Sequence, residues 1–461
     1  MNNGTLRGTS YLERGFIHPA PDSAELPVIP KDLCTRCGAC HVICPTNVIT
    51  FDDHEFPVIH SQNCIDCGLC LKVCPGIEFD LNKHHQKMFG IDYPMGRMEG
   101  VVRQAYVGYT KRPDIHHAAA SGGVVTQLLI ALVNTGIVDA AVVVGHNPDD
   151  PSLPMPAVAR TEQEIIDAAQ SKYVPVANLR VLRELRKTKE KFAFIGVPCQ
   201  IHGLRKLEDL NKQLGRRAYL TLGLVCHGVM EKESVLDVLD LNGISIDSVR
   251  QVHQRDGHFP TQMRAHMKDK SIQNLHKFEF KDGMYNTLFR LYRTERCHLC
   301  PDYSAEMSDI IFADVWLRQP NGDYLYPRGV TLVACRTERG EQAVKTLVES
   351  GEVELEPVDF SLVTRAFKNK YHESRVYPFV EIAHRQKQGR LAPDFGVNVN
   401  STLTDRIQAG LFRATFLFSK SPRLRKLILR FTLSPPGQLL TLAKMKYKKY
   451  SYALKTKLKR A

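Results

Sequence analysis

Eight cysteines near the start of the chain form two copies of one pattern, Cys-x2-Cys-x2-Cys-x3-Cys-Pro. The copies read CTRCGACHVICP and CIDCGLCLKVCP, and their cysteines are Cys34, Cys37, Cys40, Cys44, Cys64, Cys67, Cys70 and Cys74. Thiolates at this spacing hold two 4Fe-4S clusters, and the fourth cysteine of each run ligates the other cluster. Gly38 and Gly68 allow the backbone to wrap around the cluster sulfides. The repeat therefore predicts one-electron transfer through two iron–sulfur clusters.

Zinc sites and disulfide frameworks also use closely spaced cysteines. Zinc takes four thiolates without the tandem triplet-plus-one arrangement, and disulfide frameworks suit short secreted chains rather than a chain of 461 residues. The repeated motif is also far more specific than a single Cys-x-x-Cys pair. We therefore interpret residues 31–81 as an α+β domain of the type found in bacterial two-cluster ferredoxins.

The chain is long enough for two or three domains with a large core. Residues 1–30 are interpreted as an irregular leader without the apolar segment of a secretion signal, and the chain has no run of 18 apolar residues. Thirteen cysteines that look like metal ligands suit a reducing compartment. We therefore expect a cytoplasmic protein.

Positive charge is concentrated at the end of the chain. Residues 401–461 contain 15 Lys or Arg and one acid, Asp405, so the first 400 residues have a net charge of −1. The tail interleaves these bases with Leu, Phe and Tyr, which predicts basic helices divided at Pro435 and Pro436. Docking on the anionic inner face of a membrane, docking on an acidic protein and a partly disordered tail all stay open. A nearly neutral body argues against nucleic-acid binding.

Strand and helix patterns alternate between residues 101 and 400. Short apolar runs predict buried strands at 140–145, 191–197, 218–225, 308–315 and 331–336. Periodic segments predict helices at 123–134, 161–170, 231–241 and 338–349, whereas residues 82–100 show little periodicity and are interpreted as a linker or loop. This pattern predicts an α/β domain with a parallel or mixed sheet, followed by a basic helical tail over 401–461.

Four of the other five cysteines occupy positions suited to a ligand. Cys199 and Cys226 follow predicted strands, and Cys297 and Cys300 form a Cys-x-x-Cys pair before another. Ligands in open α/β sheets gather at the carboxyl ends of the strands, so a third four-thiolate site is one interpretation. The alternative is that the first two are small buried residues while the pair binds zinc or nothing. Cys335, inside an apolar strand, is interpreted as a core residue.

Ser121, Gly122 and Gly123 open a predicted helix directly after a run of small residues. Two glycines at this position allow a phosphate to approach the N–H groups at the positive end of the helix dipole. A tight turn that caps the helix explains the same residues equally well. The turn is therefore a candidate cofactor site with an ordinary structural alternative.

Five segments together resemble the beta-subunit family of the coenzyme F420 hydrogenases and dehydrogenases, which includes 7-hydroxymethyl chlorophyll a reductase. They are AAASGGVVTQLL, SKYVPV, FIGVPCQIHGLR, LGLVCHGV and CHLCPDYSAEMSDIIFADVW. The resemblance implies FAD in the α/β domain and a third 4Fe-4S cluster on Cys199, Cys226, Cys297 and Cys300. It also implies that Ser121, Gly122 and Gly123 lie along the flavin, with Lys172, Tyr173 and Asp314 at its edge. Ala313 departs from the glycine common in the family at this position.

The implied function is that of an iron–sulfur flavoprotein oxidoreductase. Electrons would pass between one-electron clusters and FAD, and on to or from a small organic two-electron substrate, with an electron-donor protein such as ferredoxin. Candidate proton donors are His227, Lys172 and Tyr173. The alternative is an electron-wiring subunit that links a hydrogenase or dehydrogenase partner to ferredoxin or to a deazaflavin coenzyme.

Overall fold

The cysteine-rich domain is built around a small sheet that includes the end of the predicted leader. The computed structural model describes residues 25–367 and 370–458, so the first 24 residues of that leader lie outside the described part. The strands are β1 (Glu25–Pro27), β2 (Ile49–Phe51) and β3 (Pro57–His60), and both β1 and β2 pair antiparallel with β3. The domain therefore begins before residue 31, since β1 belongs to its sheet.

Two short helices, α1 (Ala39–Ile43) and α2 (Leu69–Lys72), follow the glycines of the two motifs. Gly38 and Gly68 have φ of 88° and 67°, a left-handed conformation that glycine adopts without strain. A Cβ atom on Gly38 would lie 2.9 Å from the backbone nitrogen of Arg180. The first motif therefore lies directly against the larger domain.

The predicted linker begins with a packed helix, α3 (Leu81–Phe89). Asp80 caps it by accepting a hydrogen bond from the N–H of Lys83 at 2.8 Å. His84 and His85 are buried, and the ring of His84 stacks on Phe79 with centroids 4.2 Å apart. The expectation of a loop is wrong for this stretch, because its polar composition hides histidines that pack as core residues.

The larger domain contains an eight-stranded sheet. The sheet is mixed, one of the two forms that the sequence predicts. The remaining strands are β4 (Gln104–Thr110), β5 (Ala140–His146), β6 (Pro154–Ala159), β7 (Phe192–Gly196), β8 (Ala218–Leu224), β9 (Val249–Asp256), β10 (Gln262–Met267), β11 (Ile272–Asn274), β12 (Ile310–Asp314), β13 (Thr331–Cys335) and β14 (Val353–Pro357). The sheet order is β14-β4-β13-β12-β8-β7-β5-β6. Neighbours among β12, β8, β7 and β5 are parallel, and the outer pairings are antiparallel. The five predicted strands are confirmed as β5, β7, β8, β12 and β13, whereas β9–β11 form a separate antiparallel sheet.

The helices of the larger domain are α4 (Pro113–Ala118), α5 (Val124–Asn134), α6 (Glu162–Asp167), α7 (Leu182–Leu185), α8 (Pro198–Leu210), α9 (Lys212–Arg217), α10 (Glu233–Leu241), α11 (Asn286–Tyr292), α12 (Glu338–Glu349), α13 (Phe360–Phe367) and α14 (Tyr377–Lys387). The four predicted helices are confirmed as α5, α6, α10 and α12. Phe192 and Phe194 of β7 pack in one core with Leu204 and the cysteine-rich domain, whereas Ala193 faces the core under α5 and α12. The alternation of side chains along a strand thus gives each face of the sheet its own core.

The basic tail forms three helices: α15 (Leu403–Ser419), α16 (Pro422–Leu433) and α17 (Pro435–Leu458). The prediction of a helical tail is confirmed. Leu429 has no exposed surface and packs in the same core as Tyr292, while Asp405 lies 2.8 Å from His372 Nδ1. The alternative of a partly disordered appendage is therefore wrong for the described residues. None of the described helices is long and apolar enough to cross a membrane.

Candidate redox site

The structure brings Cys34, Cys37 and Cys40 of the first motif together with Cys74 of the second. Burial raises the pKa of Cys34 to about 12, and the neighbouring Cys74 and Cys37 add to the rise. Burial also raises the pKa of Cys40, with further contributions from the other three thiols. The N–H of Arg36 points at Cys34 Sγ from 3.4 Å, as a donor to a cluster ligand does.

A second set takes three thiols from the second motif and one from the first. Burial raises the pKa of Cys70 to about 11, and Cys67, Cys64 and Cys44 add to this rise. Cys67 is exposed, whereas Cys44 is buried. Both sets thus combine three thiols of one motif with the fourth of the other, which is the crosswise pattern that the spacing predicts.

The third set lies in the larger domain. Cys199 is the second residue of α8, Cys226 follows β8, and Cys297 and Cys300 lie in and after the turn Glu295–Leu299. Burial raises the pKa of Cys199, and Cys300, Cys226 and Cys297 each raise it further. Because β7 and β8 are parallel, their carboxyl ends bring Cys199 and Cys226 to one edge of the sheet.

Thiol separations distinguish a cluster from a single zinc ion. Tetrahedral zinc with Zn–S bonds of about 2.3 Å places its sulfurs about 3.8 Å apart. Among the described residues, the groups of three candidate ligand atoms that all lie within 4.8 Å of one another contain no cysteine. Within the described part of the chain, no three thiols therefore lie at the spacing of a tetrahedral zinc site.

The first and third sets adjoin one another. A Cβ atom on Gly203 of α8 would lie 3.0 Å from Cys37 Sγ, and the N–H of Leu179 donates to the carbonyl of Cys37 at 2.9 Å. Cys37 also adds to the raised pKa of Cys199. At the same boundary, the guanidinium of Arg36 donates two hydrogen bonds to the carboxylate of Glu231, at 2.6 and 2.8 Å. The first set therefore lies between the set that contains exposed Cys67 and the third set.

A buried polar network fixes the chain after Cys300, and sequence reasoning missed it. Asp302 lies 2.9 Å from His202 Nε2, and Tyr93 donates to Glu306 at 2.9 Å. Arg375 pairs with Glu306, and neither side chain has exposed surface. Burial lowers the pKa of Arg375 to about 9 and raises that of Glu306. Such pairs need each partner, because removing one leaves an uncompensated buried charge.

The predicted cofactor turn is packed against protein on the side of its glycines. Ser121 Oγ donates to the carbonyl of Val330 at 2.7 Å. A Cβ atom on Gly122 would lie 2.7 Å from the backbone nitrogen of Thr331, and Gly123 has φ of 73° at the start of α5. The turn-and-cap interpretation accounts for all three residues, while their contact with a flavin stays a prediction.

Arg255, which the sequence analysis did not single out, joins the predicted flavin residues. Its guanidinium donates to Asp314 and to the carbonyl of Ala120, which precedes the turn, and lies 5.2 Å from the ring centre of Trp316. The carboxylate of Asp314 raises the pKa of Arg255 although burial opposes the shift, and Tyr173 neighbours the same guanidinium. The structure therefore brings Asp314, Tyr173 and the turn together around one buried arginine, for which no sequence motif exists.

Lys172 and His227 occupy different surroundings. Lys172 Nζ donates to the carbonyls of Ala168 and Ala169, both at 2.6 Å, and burial lowers its pKa to about 7. His227 stacks on Phe289 with centroids 4.8 Å apart and lies 2.8 Å from Glu373. Burial lowers the pKa of His227 to about 4 although Glu373 opposes the shift. Lys172 can therefore exchange a proton near neutral pH, whereas His227 is neutral there.

Two family models cover the larger domain, and both describe the beta subunit of coenzyme F420 hydrogenase/dehydrogenase. The model of its N-terminal part matches residues 105–183, and the model of its C-terminal part matches residues 189–360. The chain belongs to this beta-subunit family. A third model, a 4Fe-4S dicluster domain, matches residues 33–76. A member of this family with that domain is an iron–sulfur oxidoreductase or an electron-transfer subunit.

Relatives within the beta-subunit family differ in what their names describe. The chain is 28% identical over 371 residues to the coenzyme F420-dependent sulfite reductase of Methanocaldococcus jannaschii, covering 76% of this chain and 52% of that protein. It is 27% identical to the coenzyme F420 hydrogenase subunit beta of Methanococcus voltae, and the match covers 53% of this chain and 81% of that protein. It is 28% identical to the chloroplastic 7-hydroxymethyl chlorophyll a reductase of Oryza sativa, and the match covers 65% of this chain and 60% of that protein. The chain thus spans about half the length of the sulfite reductase.

Among solved structures, a chain of the F420-reducing [NiFe] hydrogenase complex from Methanosarcina barkeri is similar in fold to the present chain. The TM-score is 0.50 and the sequence identity is 22%. The match covers 65% of the present chain and 96% of the other. It supports the mixed α/β fold.

Proposed function

We propose that the protein is an iron–sulfur flavoprotein oxidoreductase with three 4Fe-4S clusters and one FAD. The observation that carries this proposal is the position of the third thiol set. Cys199 and Cys226 lie at the carboxyl ends of parallel strands, where α/β domains bind ligands, and the set adjoins the first set through Cys37. A reducing cytoplasm is the compartment that suits these ligands.

The order of the three thiol sets supports electron exchange with a protein. Cys67 is the exposed member of the outermost set, so a one-electron carrier such as ferredoxin can approach it closely. From there the first set, through Cys37, adjoins the third set in the larger domain. When bound, the clusters supply one-electron transfer and the flavin converts it to two-electron chemistry on a small organic substrate.

The residues around Tyr173 fit a planar polar ring. Two buried amide atoms, Oε1 of Gln170 and Nε2 of Gln254, have no hydrogen-bond partner among the described residues. The second belongs to the same side chain that accepts the N–H of Tyr173 at 2.6 Å. Buried polar atoms without partners are rare and costly, and a flavin ring has both donors and acceptors at its edge. We therefore assign Arg255, Asp314 and Tyr173 to the flavin pocket.

Cofactor content tests this assignment. Anaerobically purified protein is expected to contain about twelve iron atoms and about one FAD per chain, and reduced ferredoxin should bleach the flavin absorbance. A protein with about twelve irons but no flavin after addition of FAD would overturn the flavoprotein assignment. Eight irons with bound FAD would instead remove only the third cluster.

Replacing Lys172 with methionine tests its role as a proton donor. Because burial lowers the pKa of Lys172 to about 7, the protonated form that can donate is lost as the pH rises through about 7. We expect the wild-type rate of substrate reduction to fall above this pH, and the variant to be slower by about 10²-fold or more without this inflection. A variant that keeps FAD and the wild-type pH profile would contradict the role.

A second function is an electron-wiring subunit for a hydrogenase or dehydrogenase partner. The relatives named as coenzyme F420 hydrogenase subunit beta favour this role, as does the exposed thiol set. Turnover of a small two-electron acceptor by the isolated chain supports the oxidoreductase. Flavin reduction that occurs only after addition of a hydrogenase or dehydrogenase subunit supports wiring.

A further inference from the structure

The tail helices α15–α17 carry most of the exposed large hydrophobic side chains in the described part of the chain. Of the 21 large hydrophobic side chains that are exposed in the described part of the chain, fourteen lie between Leu403 and Leu454. Scattered exposed hydrophobic residues are normal, but a concentration of this kind marks an interaction surface. We call this surface the tail face.

The tail face is separate from the side of the helices that packs on the body. On α15, Leu403, Ile407 and Leu411 are exposed at four-residue spacing, which places them on one side, whereas Ala409 is buried. On α16, Leu427 is 63% exposed. Leu429, two residues later on the same helix, has no exposed surface. Helices α15 and α16 are therefore already anchored on the body, and a second side of each helix is apolar and exposed.

Positive charge surrounds this apolar side. Arg423, Arg430, Lys444 and Lys446 are exposed and have no acidic partner among the described residues. On α17, Tyr447, Tyr450 and Leu454 are exposed at spacings of three and four residues, in a stretch rich in lysine. Lysine and arginine stems extend along apolar surface while their charges reach outward, and tyrosine suits the boundary between lipid and water.

We propose that the tail face docks the protein on the surface of an anionic lipid bilayer. Residues 401–461 have a surplus of fourteen positive charges, and bases without an acidic partner in the described part of the chain, such as Arg423 and Lys444, would repel each other if two tail faces paired. Lysine is depleted in protein interfaces, whereas it is enriched on amphipathic helices that lie in the headgroup layer of a membrane. Chemistry and charge therefore favour a bilayer over a second copy or a protein partner.

Sedimentation of the full-length, cluster-loaded protein with lipid vesicles tests the proposal. We expect binding to vesicles that contain phosphatidylglycerol and little binding to phosphatidylcholine alone, with weaker binding at high salt because of charge screening. Leu427→Asp should weaken binding by about tenfold or more, since it adds a negative charge and removes an inserted side chain.

Ile272→Asp is the matched control, because Ile272 is also exposed, at 55%, but lies on β11 outside the tail. It should leave vesicle binding unchanged, and both variants should keep the wild-type iron content and unfolding temperature. Equal binding to both kinds of vesicle, no binding by the wild type, or the same loss in both variants would overturn the proposal. Binding of the wild type to an acidic protein but to neither vesicle would also overturn it.

Discussion

Replacing Cys297 with alanine is expected to lower the iron content from about twelve to about eight atoms per chain. Cys297 belongs to the third thiol set, and its hydroxyl neighbour Thr294 donates to Cys297 Sγ at 3.0 Å. A cluster that loses one of four thiolate ligands is poorly held, while the other two sets share no ligand with it. The measurement is iron and acid-labile sulfide per chain after anaerobic purification, together with the rate at which reduced ferredoxin bleaches the flavin.

Cys335→Ala is the control for this experiment. Cys335 is fully buried in β13 and packs in the apolar core under α5 and α12. Its replacement should leave the iron content at about twelve and reduce only the free energy of unfolding, by about 1 kcal/mol. If the two variants lose iron equally, or if Cys297→Ala keeps about twelve atoms, the third cluster is not held by this set.

Leu429→Asp is expected to lower the free energy of unfolding by about 3 kcal/mol or more. Leu429 has no exposed surface, so the change buries a charge between α16 and the core around Tyr292. The measurement is thermal or urea unfolding of the cluster-loaded protein, with the m-value compared to exclude a change in the unfolding reaction.

Leu427→Asp is the matched variant, two residues earlier on the same helix and 63% exposed. It should change stability by no more than about 0.5 kcal/mol. Equal stability of the two variants would mean that α16 does not pack on the body as described. Together the pair separates the anchored side of the tail from its outer side.

Local sequence patterns predicted those strands and ligand sets whose structure depends mainly on their own residues. Short apolar runs predicted β5, β7, β8, β12 and β13, because these inner strands of the sheet are largely buried on both faces. Strands β4, β6 and β14 were missed, since they mix polar with apolar residues or lie half exposed at the sheet edge. The cysteine spacing predicted which thiols would meet, because each motif supplies three ligands from one short loop and its fourth cysteine to the other set.

Long-range contacts were not predictable from a single sequence. Glu306 and Arg375 are 69 positions apart, and nothing in either neighbourhood marks a buried pair. Arg255 lies in the polar stretch VHQRD, whose composition suggests an exposed strand, yet it is buried against Asp314. The tail is similar, because its charge predicts an appendage while its packing depends on single apolar residues such as Leu429.

The crossed arrangement of the first two thiol sets has a consequence for assembly. Cys74 completes the set of the first motif and Cys44 that of the second, so neither half of the domain supplies four ligands alone. Metal binding is coupled to folding where the ligands meet only in the native structure. Each cluster would therefore cross-link the two motifs, and loss of one would leave three free thiols in one motif and one in the other. Maturation and oxidative damage should then proceed in an all-or-none manner, with few molecules that retain a single cluster in this domain.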